Sequence, residues 1–441
     1  MTYVSRISRR TLLGAAGLGG SLLAGPLLVG CSERAQVPAT ESGNVTLDVW
    51  THDPGYVNIY KASVQTINTA KSTLFQYELK FTSLASDAVV TKLLAQAQAK
   101  TGTPDIAGIE VSQFPRLMKQ NIAPSILVDW SAQLSDPEKS DLLRLDDYSV
   151  DGKAYGLEAD TCPTVLYYRD DLFKKYNIPA DLETWEDLKE AGAKSGKSFG
   201  ICPNGTPGDA MGTFRQLYQQ RGMNLFDKDG NPTIDTPEAA ETIQFMADGV
   251  KSGFFLVVAD PYGAPNAAAL KSERLIATFM PNWYNGYGLQ PNVPDQKGKW
   301  RIRKLPAFSA GGGFGATLGG TGFAVVKDKP NTQAAIDLVR ATFLTKEGQL
   351  LRFQKGGHLP TLKSLYEDPD FTEYKDAYLG GQQVFPVYNG IVEQAPTFYQ
   401  SANLSVLSDV LGGQIQRATA GKVSATDAVK TAQQNYEAQT K

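Results

Sequence analysis

The most constraining feature is a repeated change of hydrophobic period between residues 45 and 106. Val45 to Trp50 alternates apolar with polar and predicts a strand. Val57, Tyr60, Val64 and Ile67 then recur at spacings of three and four, which predicts a helix. Phe75, Tyr77, Leu79 and Phe81 return to strict alternation. Val90, Leu93, Leu94 and Ala97 share one helical face, with Asp87 as its expected cap. Pro104-Asp105-Ile106 opens a short strand. Strand and helix in turn indicate an α/β sheet with crossover helices.

The rhythm resumes downstream. Pro163 to Tyr168 (PTVLYY) reads as a buried strand, and Thr184-Trp185-Glu186-Asp187 has capping-box spacing. Ser198 to Cys202 and Gly322 to Val326 read as strands, and the Gly-rich run Gly311 to Gly322 as a loop. Thr236-Pro237-Glu238 starts a helix that ends before Gly253, with Ile243, Met246 and Val250 inward. Thr332 to Leu344 and Ser424 to Glu437 are further helices, the last capped by Ser424. At 441 residues, two lobes are expected rather than one core.

Composition excludes several classes. A formal net charge of −3 without a basic stripe argues against nucleic-acid binding. Two histidines, and three cysteines without a CxxC pair, argue against a multi-His centre, zinc or iron–sulfur chemistry. The mature chain has no G-x-S-x-G and no H-E-x-x-H. Its Gly-rich run lacks the Gly-Lys-Ser/Thr ending of a phosphate loop, and Gly320-Thr321-Gly322 lacks the third Gly of a dinucleotide fingerprint. Asp146 and Asp147 are adjacent, which suits a solvated loop better than a glycosidase pair. No cofactor, metal or catalytic residue is therefore expected.

Residues 1–30 read as a targeting segment. Arg6, Arg9 and Arg10 precede an apolar run from Leu12 to Val29 that is too rich in Gly to span a membrane well. Leu28-Val29-Gly30-Cys31 resembles the lipobox of bacterial lipoproteins, which implies cleavage before Cys31 and lipidation of its thiol. Ser8-Arg9-Arg10-Thr11-Leu12-Leu13 resembles a twin-arginine export signal. Residues 31–43 look like a flexible tether.

From Asp151 the chain runs DGKAYGLEADTCPTVLYYRDDLFKKYNIPADLETWEDL, and GTPDI, LIATFMPNWY and GGTGFAVV lie in order around it. Together they resemble the solute-binding proteins of ABC importers, of the maltose-binding type, over nearly all of residues 44 to 441. The resemblance implies a periplasmic-binding-protein-like fold: two α/β lobes joined by crossing strands, with the ligand between them. By that pattern one lobe holds 44–155 plus 315–361 and the other 156–314 plus 362–441. It further implies a sugar ligand, permease partners and an extracytoplasmic monomer held at the outer face of the membrane by its lipid.

A sugar cleft needs polar side chains for hydroxyls and aromatic platforms for C–H faces. His52 and Asp53 follow the first strand, at the edge where open α/β sheets bind ligands; Asp53 could instead cap the loop before Pro54. Glu110 lies just past the strand opened by Pro104, and Asp160 lies where the chain crosses between lobes, as ligand contact or hinge partner. The resemblance puts a stacking aromatic at Trp283-Tyr284, with core packing as the alternative, and a second aromatic at Tyr399. Asp209, the backbone N–H groups of Gly320-Thr321, and His358 complete the candidates. Cys162 and Cys202 are a candidate disulfide, since both flank strands, both precede Pro and the compartment is oxidising; folding before export would leave them reduced. Rival readings are a polyamine, peptide or ferric-iron binder, a purely structural lipoprotein, or an extracellular carbohydrate-active enzyme such as a lyase.

Overall fold

A computed structural model describes residues 38–313 and 315–441. The targeting segment, Cys31 and the tether through residue 37 lie outside the described residues. The tether ends earlier than residue 43: Thr40 N–H donates to Pro330 O at 2.8 Å and its hydroxyl bonds Asn331 Oδ1 at 2.9 Å.

The first strand, Gly43–Thr51, buries Val45, Leu47 and Val49 on one face, and its alternation ends at the buried Trp50. It pairs in parallel with Phe75–Ser83 on one side and Ile106–Glu110 on the other. The helix Pro54–Ala70 connects the first two strands. Its inward face is Tyr56, Ile59, Tyr60, Ser63 and Ile67, turned from the expected one; Val57 and Val64 are only partly covered. The helix Ser86–Ala99 starts one residue before Asp87, with Ala85 as an N-cap that makes no side-chain bond, so Asp87 sits in the first turn near the positive helix end.

The sheet is completed from far along the chain. Thr321–Val325 runs antiparallel to Ile106–Glu110 and also pairs with the short strand Leu157–Glu158. The strand order is therefore Phe75–Ser83, Gly43–Thr51, Ile106–Glu110, Thr321–Val325, Leu157–Glu158. The helix Thr332–Phe343 packs its apolar face against this sheet.

A second sheet has Thr164–Arg169 at its centre, antiparallel to Ala277–Pro281 and Trp300–Arg303. All six residues of the central strand are buried: the apolar run Val165 to Tyr168 fills both covered faces, and the polar ends Thr164 and Arg169 are bonded to Gln216 and Asp171. Gly200–Pro203 pairs in parallel with Phe255–Val258, and a bridge from Ser198 to Leu275 continues the sheet toward Ala277–Pro281. Helices Trp185–Ser195, Pro207–Gln220, Pro237–Ser252, Leu404–Thr419 and Ala425–Thr440 bury their apolar faces in this second core. Their caps follow the sequence: Thr184 accepts Asp187 N–H, Thr236 accepts Ala239 N–H, and Ser424 accepts Asp427 N–H. Gly253 ends its helix at φ 79°, the left-handed position that favours glycine. The protein is thus a pair of α/β lobes.

Candidate functional site

Between the two sheets lies a cleft of about 1040 Å³. Its walls come from the ends of strands in both lobes and from the segment that joins them, residues 159–163.

That joining segment is held by buried charge. Arg144 donates to Asp160 O at 3.3 Å and Thr161 O at 3.1 Å, and its Nε bonds Asp147 Oδ2 at 2.7 Å. Asp147 is therefore a buried ion-pair partner, not the solvated loop acid expected; Asp146 alone faces water. Arg352, fully buried, bonds Ala159 O and lies over the Phe343 ring at 4.7 Å. Asp160, 1% exposed, accepts from Asn282 Nδ2 at 2.8 Å, Leu359 N–H at 2.9 Å and Cys162 N–H at 3.3 Å. One carboxylate thus ties three segments together, and burial outweighs those bonds to push its pKa up to about 6. Beside it, Glu158 Oε1 accepts Thr321 N–H at 2.9 Å and Ala159 N–H at 3.0 Å. Burial raises this acid to about 7. Gly320, at φ 126°, closes over it: a Cβ there would stand 2.7 Å from Glu158 Oε2, so only glycine fits.

The first lobe contributes His52, Asp53, Glu110, Thr321 and His358 to the cleft wall. Asp53 does cap its helix, accepting Gly55 N–H at 2.7 Å through Oδ1. Glu110, the last residue of its strand, accepts from Ser112 N–H at 2.9 Å and from the Ser112 hydroxyl. Thr321 lines the cleft, but its N–H is committed to Glu158 rather than offered to a ligand. His358 stacks on Tyr56 with ring centres 4.8 Å apart, and burial drives its pKa down to about 3. Burial also lowers His52, against the pull of Glu110 and Asp53. Among the described residues neither histidine has a partner for Nδ1. Both are neutral rings on the cleft wall, suited to hydroxyl groups.

The second lobe supplies the aromatic surface. Trp283 sits in the turn between Ala277–Pro281 and the π-helical turn Asn285–Leu289, and its Nε1 donates to Leu318 O at 3.0 Å. Its ring centre lies 5.7 Å from Tyr262 and 6.0 Å from Tyr287. All three line the cleft. Asp209 lines it as well, while serving the capping box that starts helix Pro207–Gln220: its Oδ2 accepts from Thr206 N–H at 3.2 Å and Thr206 Oγ1 at 2.7 Å.

Three expectations are corrected. Tyr284 is fully buried and absent from the cleft wall; its hydroxyl accepts from Asn266 Nδ2 at 2.7 Å and its ring meets Tyr167 edge-on. The turn after Pro281 sends Trp283 to the cleft and its neighbour to the core. Tyr399 is exposed and does not line the cleft; the neighbouring Phe398 turns inward instead. Cys162 and Cys202 are separate buried thiols, not a disulfide. Cys162 faces Asp160 O at 3.7 Å on the joining segment, whereas Cys202 faces Thr419 from within the second core.

The residues missed left signals. Tyr287 follows Trp283 at helical spacing, and Tyr262 follows the strand Phe255–Val258, the same sheet-end position that singled out His52. Arg215 lies one turn beyond Met211, and both line the cleft from helix Pro207–Gln220.

Similarity to known proteins agrees with this geometry. The sequence is 27% identical over 413 residues to an arabinooligosaccharide-binding protein of Halalkalibacterium halodurans, covering 90% of each chain. It is 26% identical over 405 residues to a protein of the same name from Bacillus subtilis, covering 88% of this chain and 90% of the other. The fold is similar to that of the cyclic alpha-maltosyl-1,6-maltose binding protein of Arthrobacter globiformis, with a TM-score of 0.74, 22% identity, and 90% and 99% of the two chains covered. Residues 63–378 match the family described as bacterial extracellular solute-binding protein, a family of binding proteins rather than enzymes. By that match the chain belongs to the bacterial extracellular solute-binding proteins, the extracytoplasmic binding components that serve ABC importers.

Proposed function

We propose that the chain captures a short oligosaccharide and delivers it to an ABC permease as a monomer anchored through a lipid on Cys31. The cleft carries the reading: aromatic faces of Tyr262, Trp283 and Tyr287 stand on one lobe, and neutral imidazoles with carboxylates stand on the other. Its volume of about 1040 Å³ is at the upper end of small-ligand sites, more than one sugar ring needs. Two relatives are named for arabino-oligosaccharides, which supports the same class. The lobes, about 44–155 plus 315–361 and 156–314 plus 362–441 but with Leu157–Glu158 paired in the first sheet, would close over the ligand about the joining segment. Export by the twin-arginine route fits Arg9-Arg10. Calorimetry with arabino- and galacto-oligosaccharides, their monosaccharides and spermidine tests the ligand class. Oligosaccharide binding with weak monosaccharide binding is expected; binding of spermidine alone would sink it. Cys31→Ser should release the protein from the membrane fraction, and unchanged fractionation would remove the anchor from the proposal.

A further inference from the structure

The helix Pro207–Gln220 carries a guanidinium that the architecture of the lobes does not use. Arg215 is 7% exposed and lines the cleft. Its Cζ lies 3.8 Å from the centre of the Phe398 ring, so the guanidinium is held against that ring. Among the described residues, Nε and Nη2 have no hydrogen-bond partner although both are buried. Nearby acids are otherwise engaged: Asp147 with Arg144, and Glu110 with Ser112. The other buried arginines differ, since Arg144 and Arg352 donate to carbonyls of the joining segment and Arg169 forks onto the Asp171 carboxylate. Burial and the charge of Arg144 lower the Arg215 pKa to about 10, which leaves it a cation at neutral pH.

A buried cation without a partner opposes folding. Standing in the wall of a ligand cleft, held in place and with its donors free, it is arranged for acceptor atoms that arrive with the ligand. We propose that Arg215 is a specificity-determining contact whose fork engages a pair of adjacent acceptor oxygens on the saccharide. Two chemistries present such a pair: the carboxylate of a uronate unit, and two neighbouring ring hydroxyls. Phe398, against which the guanidinium lies, comes from the 362–441 part of the second lobe but packs its ring into an apolar cluster whose other members are first-lobe residues such as Ile109, Phe114 and Tyr148. The contact therefore stands where the lobes meet, and a ligand held by Arg215 is held at their junction.

The inference rests on the saccharide reading and is tested separately from it. Arg215→Met and Arg215→Lys are compared with the unaltered protein for binding of an arabino-oligosaccharide, a galacto-oligosaccharide and a galacturonate disaccharide. Ligand-free melting temperatures are measured alongside. R215M should weaken binding by about 10- to 100-fold, as loss of hydrogen bonds to a charged group does. R215K should remain weak, because an ammonium lacks the fork. Ligand-free R215M should melt no lower than the unaltered protein, since a buried unpaired charge is gone. Loss confined to galacturonate identifies the carboxylate; loss for a neutral sugar identifies paired hydroxyls. Unchanged affinity with a lowered melting temperature would show Arg215 to be a packing strut for Phe398 and overturn the inference, leaving the saccharide reading intact. Should the unaltered protein bind none of the three, the saccharide reading fails. The ligand-free melting temperature then decides Arg215 alone, a fall marking a strut and a rise an unsatisfied charge.

Discussion

Replacing Trp283 by Ala separates a ligand platform from a packing residue. The ring is half-buried: Tyr262 and Tyr287 stand against it, its Nε1 is tied to Leu318 O, and it lines the cleft. Taking about a third of the roughly 200 Å² that a large aromatic buries, a stacked sugar covers roughly 70 Å² of it. At about 25 cal/mol per Å² that contact contributes about 1.8 kcal/mol. Ring-specific stacking adds about 0.5–1.5 kcal/mol, for a total of about 2–3 kcal/mol. Calorimetry should therefore record a loss of about 30- to 200-fold in affinity. Urea denaturation should show a smaller stability loss than the roughly 3–5 kcal/mol of a fully buried Trp→Ala change. Trp283→Phe, which keeps a ring but drops the bond to Leu318, should lie between the two. Affinity within about threefold of the unaltered protein, combined with a full core-type stability loss, would refute the platform argument.

Three further outcomes follow from the buried polar groups. Arg144→Met should cost about 3–5 kcal/mol in urea denaturation, because Asp147 is left as a buried charge without its partner. Glu158 has its folded pKa raised to about 7, so its contribution to stability is full below its unfolded pKa and is lost as pH rises through about 7. Between about pH 4.5 and 7 the unaltered protein should lose on the order of 3 kcal/mol relative to Glu158→Gln, and parallel melting-temperature curves would contradict this. Tyr284→Phe should cost about 1–3 kcal/mol of stability, because one Asn266 N–H loses its acceptor while the other stays on Pro261 O, and leave affinity unchanged; a loss of affinity would return Tyr284 to the cleft.

The fold was legible where short-range periodicity is strong. Strands Gly43–Thr51 and Phe75–Ser83 announce themselves by alternation, and helices capped by Thr184, Thr236 and Ser424 by side chains that accept an N–H three residues on. The facing of the helix Pro54–Ala70 was not legible, because Val57 and Tyr56 are adjacent and packing decides which turns inward. The site divides the same way. His52, Asp53 and Glu110 stand at strand ends, where sheet geometry alone puts ligands. Tyr284 and Tyr399 failed because local composition does not reveal which way consecutive aromatics turn: Trp283 lines the cleft while Tyr284 is buried, and Tyr399 is exposed while Phe398 is buried. Arg215 shows only its place one turn beyond Met211, and neither its missing partner nor the burial that turns the Arg144–Asp147 pair into a core ion pair can be read from neighbouring residues.

The placement of Thr321–Val325 has a consequence for how the chain comes into being. This strand lies between Ile106–Glu110 and Leu157–Glu158, and it is the sole bridge between them in the sheet order. During synthesis the flank of Ile106–Glu110 therefore stays an open row of amide and carbonyl groups until residue 325 of 441 has emerged. The second sheet has its strands within 164–303 and can assemble sooner. Both lobes nevertheless wait for sequence made late, the first for Thr321–Val325 and the second for helices Leu404–Thr419 and Ala425–Thr440, and until residue 325 is made the open flank of the first sheet is an edge available for mispairing.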